Sequence, residues 1–354
     1  MTRRLVARLD NLGDVVLAGP AVRAVAASGG PVTFLAGPAG APAARLLPGV
    51  DDIIVFDAPW VSFDPPSVEP GALVAFKQSV AERGIDEAVI LTSFHQSPLP
   101  LALLLRTAGV RHVAATSVDY PGSLLDVRHP YLPELHEVEQ SLSLCRAAGH
   151  VLPPGDDGRL RLDPTALVPS ARPVTRGRRY VVVHPGASVP ARGLPDRAAT
   201  DAAAALAGAG FDVIVTGAPA DTDAADRIVA ASGSAHVHST AGTTDVDGLV
   251  QIVAGADVVV TGNTGAAHVA AAVGTPVVEA FAPVVDPHRW RPWMVPHILL
   301  GDPDVACAGC RSRQCPIAGQ PCLAPFTADA VLEAVELLTS PGTPMATGRA
   351  GVTG

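Results

Sequence analysis

Short apolar runs alternate along this chain with longer stretches whose apolar positions recur at helical spacing. Runs of this kind, bounded by turn residues, are the pattern of strands buried on both faces of a parallel sheet. In the first half, Arg4 to Leu9, Pro31 to Ala36, Asp52 to Phe56, Glu87 to Leu91 and Val110 to Ala115 read as strands. Val15 to Ala27, Ala72 to Arg83, Pro98 to Ala108 and Leu135 to about Ala148 read as helices. Phe63 to Gly71, with three prolines, reads as an irregular loop, and Pro153 to Gly158 ends the last helix. A connector, Pro164 to Arg179, leads into a second alternation. There Tyr180 to Val183, Asp212 to Thr216, His236 to His238, Ala256 to Val260 and Thr275 to Phe281 read as strands. Ala198 to Ala209, Asp221 to Ala231, Asp247 to Ala254 and Val331 to Leu338 read as helices.

Two such alternations predict an α/β chain of two doubly wound, Rossmann-like domains, residues 1–165 and 166–340, with a disordered tail at 341–354. Open parallel sheets bind ligands outside the carboxyl ends of their strands, so a cleft between the two domains is the expected site. Composition agrees with this class. Hydrophobic residues make up 48%, charged residues 17% and aromatics 4%, as in Val/Ala/Leu-rich sheets wrapped by Ala-rich helices. The formal net charge of −9, without basic clusters, argues against nucleic acid as the partner. No stretch approaches the ~20 continuous apolar residues of a membrane span, which leaves room only for peripheral membrane contact. The basic opening Met1 to Ala7 breaks at Arg8 and Asp10, unlike a signal peptide, so a cytoplasmic protein is expected.

Three strand-end loops carry the candidate chemistry. The most informative is Gly262-Asn263-Thr264-Gly265-Ala266-Ala267-His268, directly after an apolar strand and leading into an Ala-rich helix. The amides and positive dipole end of such a helix face an anion, which points to phosphate binding, with His268 as an added donor. In the plainer alternative Thr264 is only a helix cap. The second loop, His184 to Pro195, offers Ser188 and Arg192 as anion donors, or is simply a rigid connection. The first, Arg8 to Val15, presents Asp14 at a helix start, where an acidic residue also suits the dipole alone.

Together these loops resemble those of glycosyltransferase family 9, the ADP-heptose:lipopolysaccharide heptosyltransferases and their relatives, which have the GT-B fold. The resemblance runs from about Arg4 to about Leu338. It includes Gly13-Asp14-Val15, His184-Pro185-Gly186-Ala187-Ser188, the turn Gly217-Ala218-Pro219-Ala220-Asp221, Thr264-Gly265-Ala266-Ala267-His268 and Phe281-Ala282-Pro283. It implies an inverting, metal-independent transferase taking a sugar from a nucleotide-sugar donor, ADP-sugars favoured, to a glycan or metabolite acceptor. Asp14 would be the catalytic base. Ser188 and Arg192 would contact the donor's diphosphate or sugar, Asp221 after the Gly217 turn its ribose, and Asn263, Thr264, Gly265 and His268 its phosphates and sugar. Arg8 is expected either to hold an anionic group of the acceptor or to pair with Asp10 or Asp14. Asn263 departs from the aspartate usual before Thr-Gly in the family, and Leu194 from an aromatic in the second loop. A sugar-nucleotide 2-epimerase of similar fold and a non-catalytic nucleotide-sugar binder are the alternatives.

Cys307, Cys310, Cys315 and Cys322 are spaced C-x2-C-x4-C-x6-C, while Cys145 stands alone. The spacing fits neither the usual zinc-finger nor ferredoxin pattern. A structural metal, reduced thiols and disulfides all remain open, although a cytoplasmic setting disfavours disulfides. No cofactor is expected for catalysis.

Overall fold

The computed structural model describes residues 1–62, 64–163 and 177–340. The expected connector 164–179 falls mostly outside them and the expected tail 341–354 wholly so, as does Phe63 of the proline-rich loop. The chain divides into two compact units, Met1–Ala166 and Leu167–Gly354.

The first unit is a six-stranded parallel sheet of β1 (Arg4–Arg8), β2 (Val32–Ala36), β3 (Asp52–Val55), β4 (Glu87–Ile90), β5 (His112–Thr116) and β6 (Val127–His129). Its strand order is β3-β2-β1-β4-β5-β6. The helices are α1 (Leu12–Leu17), α2 (Gly19–Ala26), α3 (Ala41–Ala44), α4 (Pro70–Glu82), α5 (Leu99–Thr107) and α6 (Glu137–Ala147). All five residues of β2 are buried, Thr33 among them, as its largely apolar run Val32 to Ala36 requires. The single helix expected over Val15 to Ala27 is two. It starts earlier, at Leu12, and breaks at Ala18, where Pro20 opens the second helix, because proline tolerates the first turn of a helix and not its interior.

The second unit repeats the plan with β7 (Tyr180–His184), β8 (Asp212–Val215), β9 (Val237–Ser239), β10 (Val258–Gly262), β11 (Val277–Ala280) and β12 (His297–Leu300). Its order is β12-β11-β10-β7-β8-β9, again all parallel. The helices are α7 (Asp196–Gly208), α8 (Thr222–Ser232), α9 (Val246–Ala254), α10 (Gly265–Val273), α11 (Pro287–Trp290) and α12 (Ala328–Thr339). The pattern reading missed β6 and β12. Both are short edge strands, interrupted by polar residues such as Arg128 and His297 and flanked by Pro130 and Pro296. Among the described residues no helix is long and apolar enough to cross a membrane.

In each sheet the strand order reverses at one point, between β1 and β4 in the first unit and between β7 and β10 in the second. Loops leaving neighbouring strands there run to opposite sides and open a crevice. All three candidate loops leave strands at these two points.

A buried ion pair ties the end of the first unit to α2. Arg23 Nε and Nη2 donate to the two carboxylate oxygens of Asp156 at 2.6 and 2.9 Å, and Nη2 also reaches the Arg159 carbonyl at 2.8 Å. The Arg23 hydrogen bonds hold the Asp156 carboxyl at about 2, below its ordinary range. A depressed carboxyl contributes stability above its unfolded pKa and loses it as pH falls towards the folded value. Asp156→Asn is therefore expected to cost about 2 kcal/mol at neutral pH, with the difference from wild type fading as pH falls from about 4 to about 2. Thermal melts of the two proteins across pH check this.

Candidate active site

In the first unit, β1 ends at Arg8, a buried residue whose side chain faces three carboxylates. Nε lies 2.7 Å from Asp10 Oδ2, Nη2 donates to Asp14 Oδ1 at 2.9 Å, and Nη1 lies 3.7 Å from Glu137 Oε2. Nη2 also donates to Ser93 Oγ at 2.8 Å. Burial pulls the Arg8 guanidinium down, but Asp10, Asp14 and Glu137 outweigh it and raise it above its ordinary value. Asp10 moves the other way from a normal carboxyl. Burial pushes it up to about 6, with Asp14 and Glu137 adding to the rise and Arg8 and the Gln96 side-chain amide opposing it.

Local chain chemistry holds these groups. Asp14 is the third residue of α1, so its backbone is fixed by the helix. Glu137 is the first residue of α6, whose start is locked by a capping box. His136 Nδ1 accepts from the Val138 amide at 3.2 Å, and Glu139 Oε2 accepts from the His136 amide at 3.0 Å. The acceptor contact expected of Arg8 is not what its surroundings favour. Its nitrogens are directed at side chains of its own unit, the pairing that the sequence left as the alternative. Glu137, Ser93 and Gln96 were not foreseen. They come from loops and a helix start remote in sequence, and no motif marks them.

In the second unit, hydroxyl groups tie the strand ends together. His184 Nδ1 and Thr216 Oγ1 are hydrogen-bonded at 2.9 Å, joining β7 to the end of β8. Thr261 Oγ1 donates to the His184 carbonyl at 3.1 Å and lies 3.2 Å from Thr264 Oγ1. Burial lowers the His184 imidazole, partly offset by Asp221. The second loop closes on itself through the Leu194 amide and the Pro185 carbonyl, with Ser188 exposed and Arg192 half-buried at the end of a 3₁₀ turn.

Gly262 brings the second and third loops together. A Cβ at this position would collide with the Arg192 carbonyl oxygen, so only glycine admits this approach. Asp221 is drawn in similarly. Its carboxylate packs where side chains at Gly186 and Gly217 would stand, and Oδ2 accepts from the Ala218 amide at 2.8 Å. Thr264 is the N-cap residue of α10, yet its side chain makes no capping bond and turns to Thr261 instead. The first amides of α10, starting at Gly265, are left without a side-chain acceptor, as an anion site requires. Asn263 and His268 are 5% and 4% exposed. The Asn263 Nδ2 has no hydrogen-bond partner among the described residues. Nor do the oxygens of Glu279, a fully buried β11 residue in register with Thr261, and burial raises its carboxyl well above the usual range.

The sequence left a structural metal open at Cys307, Cys310, Cys315 and Cys322. Among the described residues no three His, Cys, Asp or Glu side chains come together to hold a metal ion. The four thiols lie at different depths, Cys310 exposed, Cys307 and Cys315 half-buried and Cys322 buried. Burial raises the Cys322 thiol, with Cys315 and Cys307 adding to the rise, while hydrogen bonds from Ser312 lower Cys310. Their segment instead braces the candidate loops. The Ala191 amide donates to the Arg313 carbonyl at 2.9 Å, Gln320 Nε2 to the Ala191 carbonyl at 2.7 Å, and the Gly309 amide to the Pro283 carbonyl at 2.7 Å. Cys145 is a core residue, its thiol pushed up to about 12 by burial.

The family model for glycosyltransferase family 9 (heptosyltransferase) matches residues 74–320. No curated protein matches the sequence. Among solved structures, the chain is similar to the Escherichia coli ADP-heptose LPS heptosyltransferase II, with a TM-score of 0.72 at 21% identity, covering 96% of this chain and 98% of that one. A family 9 glycosyl transferase from Veillonella parvula gives a TM-score of 0.75 at 16% identity over 96% and 97% of the two chains. The E. coli heptosyltransferase WaaC with ADP gives 0.70 at 19% identity over 95% and 100%. These likenesses assign the GT-B fold class to the two parallel sheets.

The contact at Gly262 yields a direct expectation. Gly262→Ala must push the Arg192 carbonyl away from β10, at a cost of about 1–3 kcal/mol for overpacking a fitted contact. Calorimetric melting should show that loss, and an unchanged melting temperature would mean that the two loops are not held together by this approach.

Proposed function

The chain belongs to glycosyltransferase family 9 and is a glycosyltransferase, and from that premise we propose that it transfers a heptose or related sugar from an ADP-sugar to an acceptor hydroxyl, with inversion at the anomeric carbon. The observation that carries the donor half is the start of α10, whose Gly265 and Ala266 amides receive no side-chain cap because the Thr264 hydroxyl bonds Thr261. Structures of WaaC hold ADP and ADP-2-deoxy-2-fluoro heptose, which supports an ADP-linked donor here.

In the proposed reaction the Asp14 carboxylate takes the proton of the acceptor hydroxyl as its oxygen attacks the anomeric carbon. The bond from that carbon to the diphosphate breaks, and its electron pair leaves with ADP. Arg192, the amides that open α10 and His268 stabilise the negative charge that develops on the leaving group. Preorganised donors of this kind supply much of an enzyme's rate enhancement. The route assigns no step to a metal ion. Ser188 adds a donor beside Arg192, the Asp221 carboxylate receives ribose hydroxyls beside the Gly217 turn, and Asn263, Thr264 and Gly265 line the sugar and phosphates. An amide at Asn263, where the family usually has a carboxylate, can donate as well as accept, which suits a different set of sugar hydroxyls.

On the acceptor side, Arg8 is better suited to hold Asp14 than to bind a ligand, since its hydrogen bond takes Asp14 Oδ1 and leaves the second oxygen to act. A shallow depression is lined by Trp60, Val61, Leu91, Gln96 and Pro98. It offers an apolar wall to a glycan or metabolite acceptor. The net charge of −9 favours no nucleic-acid partner. A cytoplasmic enzyme, where nucleotide sugars are made, is the setting proposed.

The test uses ADP-heptose as donor and follows ADP release. Asp14→Asn should lower turnover by about 100-fold or more, as loss of a general base does, while ADP affinity stays near wild type. Wild-type turnover in this variant would remove Asp14 from the reaction.

A further inference from the structure

Three carboxylates around one guanidinium are more negative charge than a buried site holds comfortably. Arg8 and Glu137 are each 3% exposed, and the Asp10 side chain is 8% exposed, while Asp14 keeps 17% of its side-chain surface. Asp10 is fixed from both sides by a closed ring of contacts. The Arg8 Nη2 donates to Ser93 Oγ, the Ser93 amide donates to Gln96 Oε1 at 3.3 Å, Gln96 Nε2 donates to Asp10 Oδ1, and Asp10 Oδ2 returns to Arg8 Nε. Glu137 enters from α6, on the remaining side of the guanidinium. Arg8 of β1, Asp10 of the following loop, Asp14 of α1 and Glu137 of α6 are thus charged groups that meet here among the described residues.

We propose that Asp10 and Glu137 are positioning residues that keep Asp14 basic, by sharing with it the one guanidinium that would otherwise neutralise it. This rests on Asp14 acting as the base. A carboxylate paired with an arginine of its own is a poor proton acceptor, because the pair stabilises the charged form. When two further carboxylates draw on the same guanidinium, Asp14 is still held in place by its hydrogen bond, but Arg8 is no longer its own partner alone. The like charges also raise one another: at Asp10 burial is the larger cause of the rise, and Asp14 and Glu137 add to it. The coupling is reciprocal, so whatever the Asp14 charge does to Asp10, the Asp10 charge does to Asp14.

The full-length protein tests this without substrate. Carbon-detected NMR of side-chain carboxyls should find Asp10 titrating near 6 in the wild type. Its midpoint should fall by at least about half a pH unit in Asp14→Asn and also in Glu137→Gln, since each removes a like charge. An unmoved Asp10 midpoint in both variants, each folded by its amide spectrum, would overturn the proposal. A second arm follows ADP release from ADP-heptose. Asp10→Asn should move the acidic limb of the kcat/KM profile to lower pH and reduce the plateau about 3-fold or more, with ADP affinity unchanged. A uniform loss with the limb in place would mean a merely structural role. If Asp14→Asn itself retained turnover, the base assignment would fail first, and that outcome is distinct from an unmoved Asp10.

Discussion

A parallel strand buried on both faces leaves no place for polar chemistry along its length, so the chemistry collects where strands end. The central strands of both sheets approach this, with β2 and β10 wholly buried and β7 buried along its middle. At the two points where strand order reverses, the chain spends its glycines, prolines and charged residues. Arg8, Asp10 and Asp14 follow β1, Ser93 and Gln96 follow β4, the Pro185 to Leu194 loop follows β7, and Asn263 to His268 follow β10. The remaining features of the site depend on this geometry.

The two units solve different electrostatic problems. In the second unit the backbone itself supplies positive potential. Thr264 gives its hydroxyl to Thr261, and the amides of α10 stay available for an anion. Gly262 lets the Arg192 carbonyl approach β10, which brings the second loop to the same place. The segment from Cys307 to Cys322 reinforces this through Ala191 and Pro283. In the first unit the problem is to hold a carboxylate firmly without neutralising it. Arg8 alone would do the first at the expense of the second, and Asp10 and Glu137 restore the balance.

Much of this was legible from residue order, and the parts that were not have physical reasons. The strands of both sheet centres were evident because continuous apolar runs such as Val258 to Val260 have few other uses. The three loops stood out because glycine, a polar residue and a helix follow an apolar strand. Asp14, Arg192, Asn263 and His268 all lie in those loops. Glu137 and Gln96 gave no such signal, because their importance comes from which side chains they meet after folding. The edge strands β6 and β12 were hidden by short length and neighbouring prolines. The cysteines show the converse. Their close spacing left metal, reduced thiols and disulfides open, and what folding adds is the bracing of Ala191 and Pro283 by their segment.

The central claim is that the open start of α10, with the loop that Gly262 brings beside it, is where the donor's diphosphate binds. Titrating the isotopically labelled protein with ADP and following backbone amide shifts tests it most directly. The account predicts the largest, saturable shifts at Gly265 to His268 and in the Gly186 to Arg192 loop. Saturable ADP binding that leaves those amides unmoved, or shifts confined to the loops after β1 and β4, would contradict it.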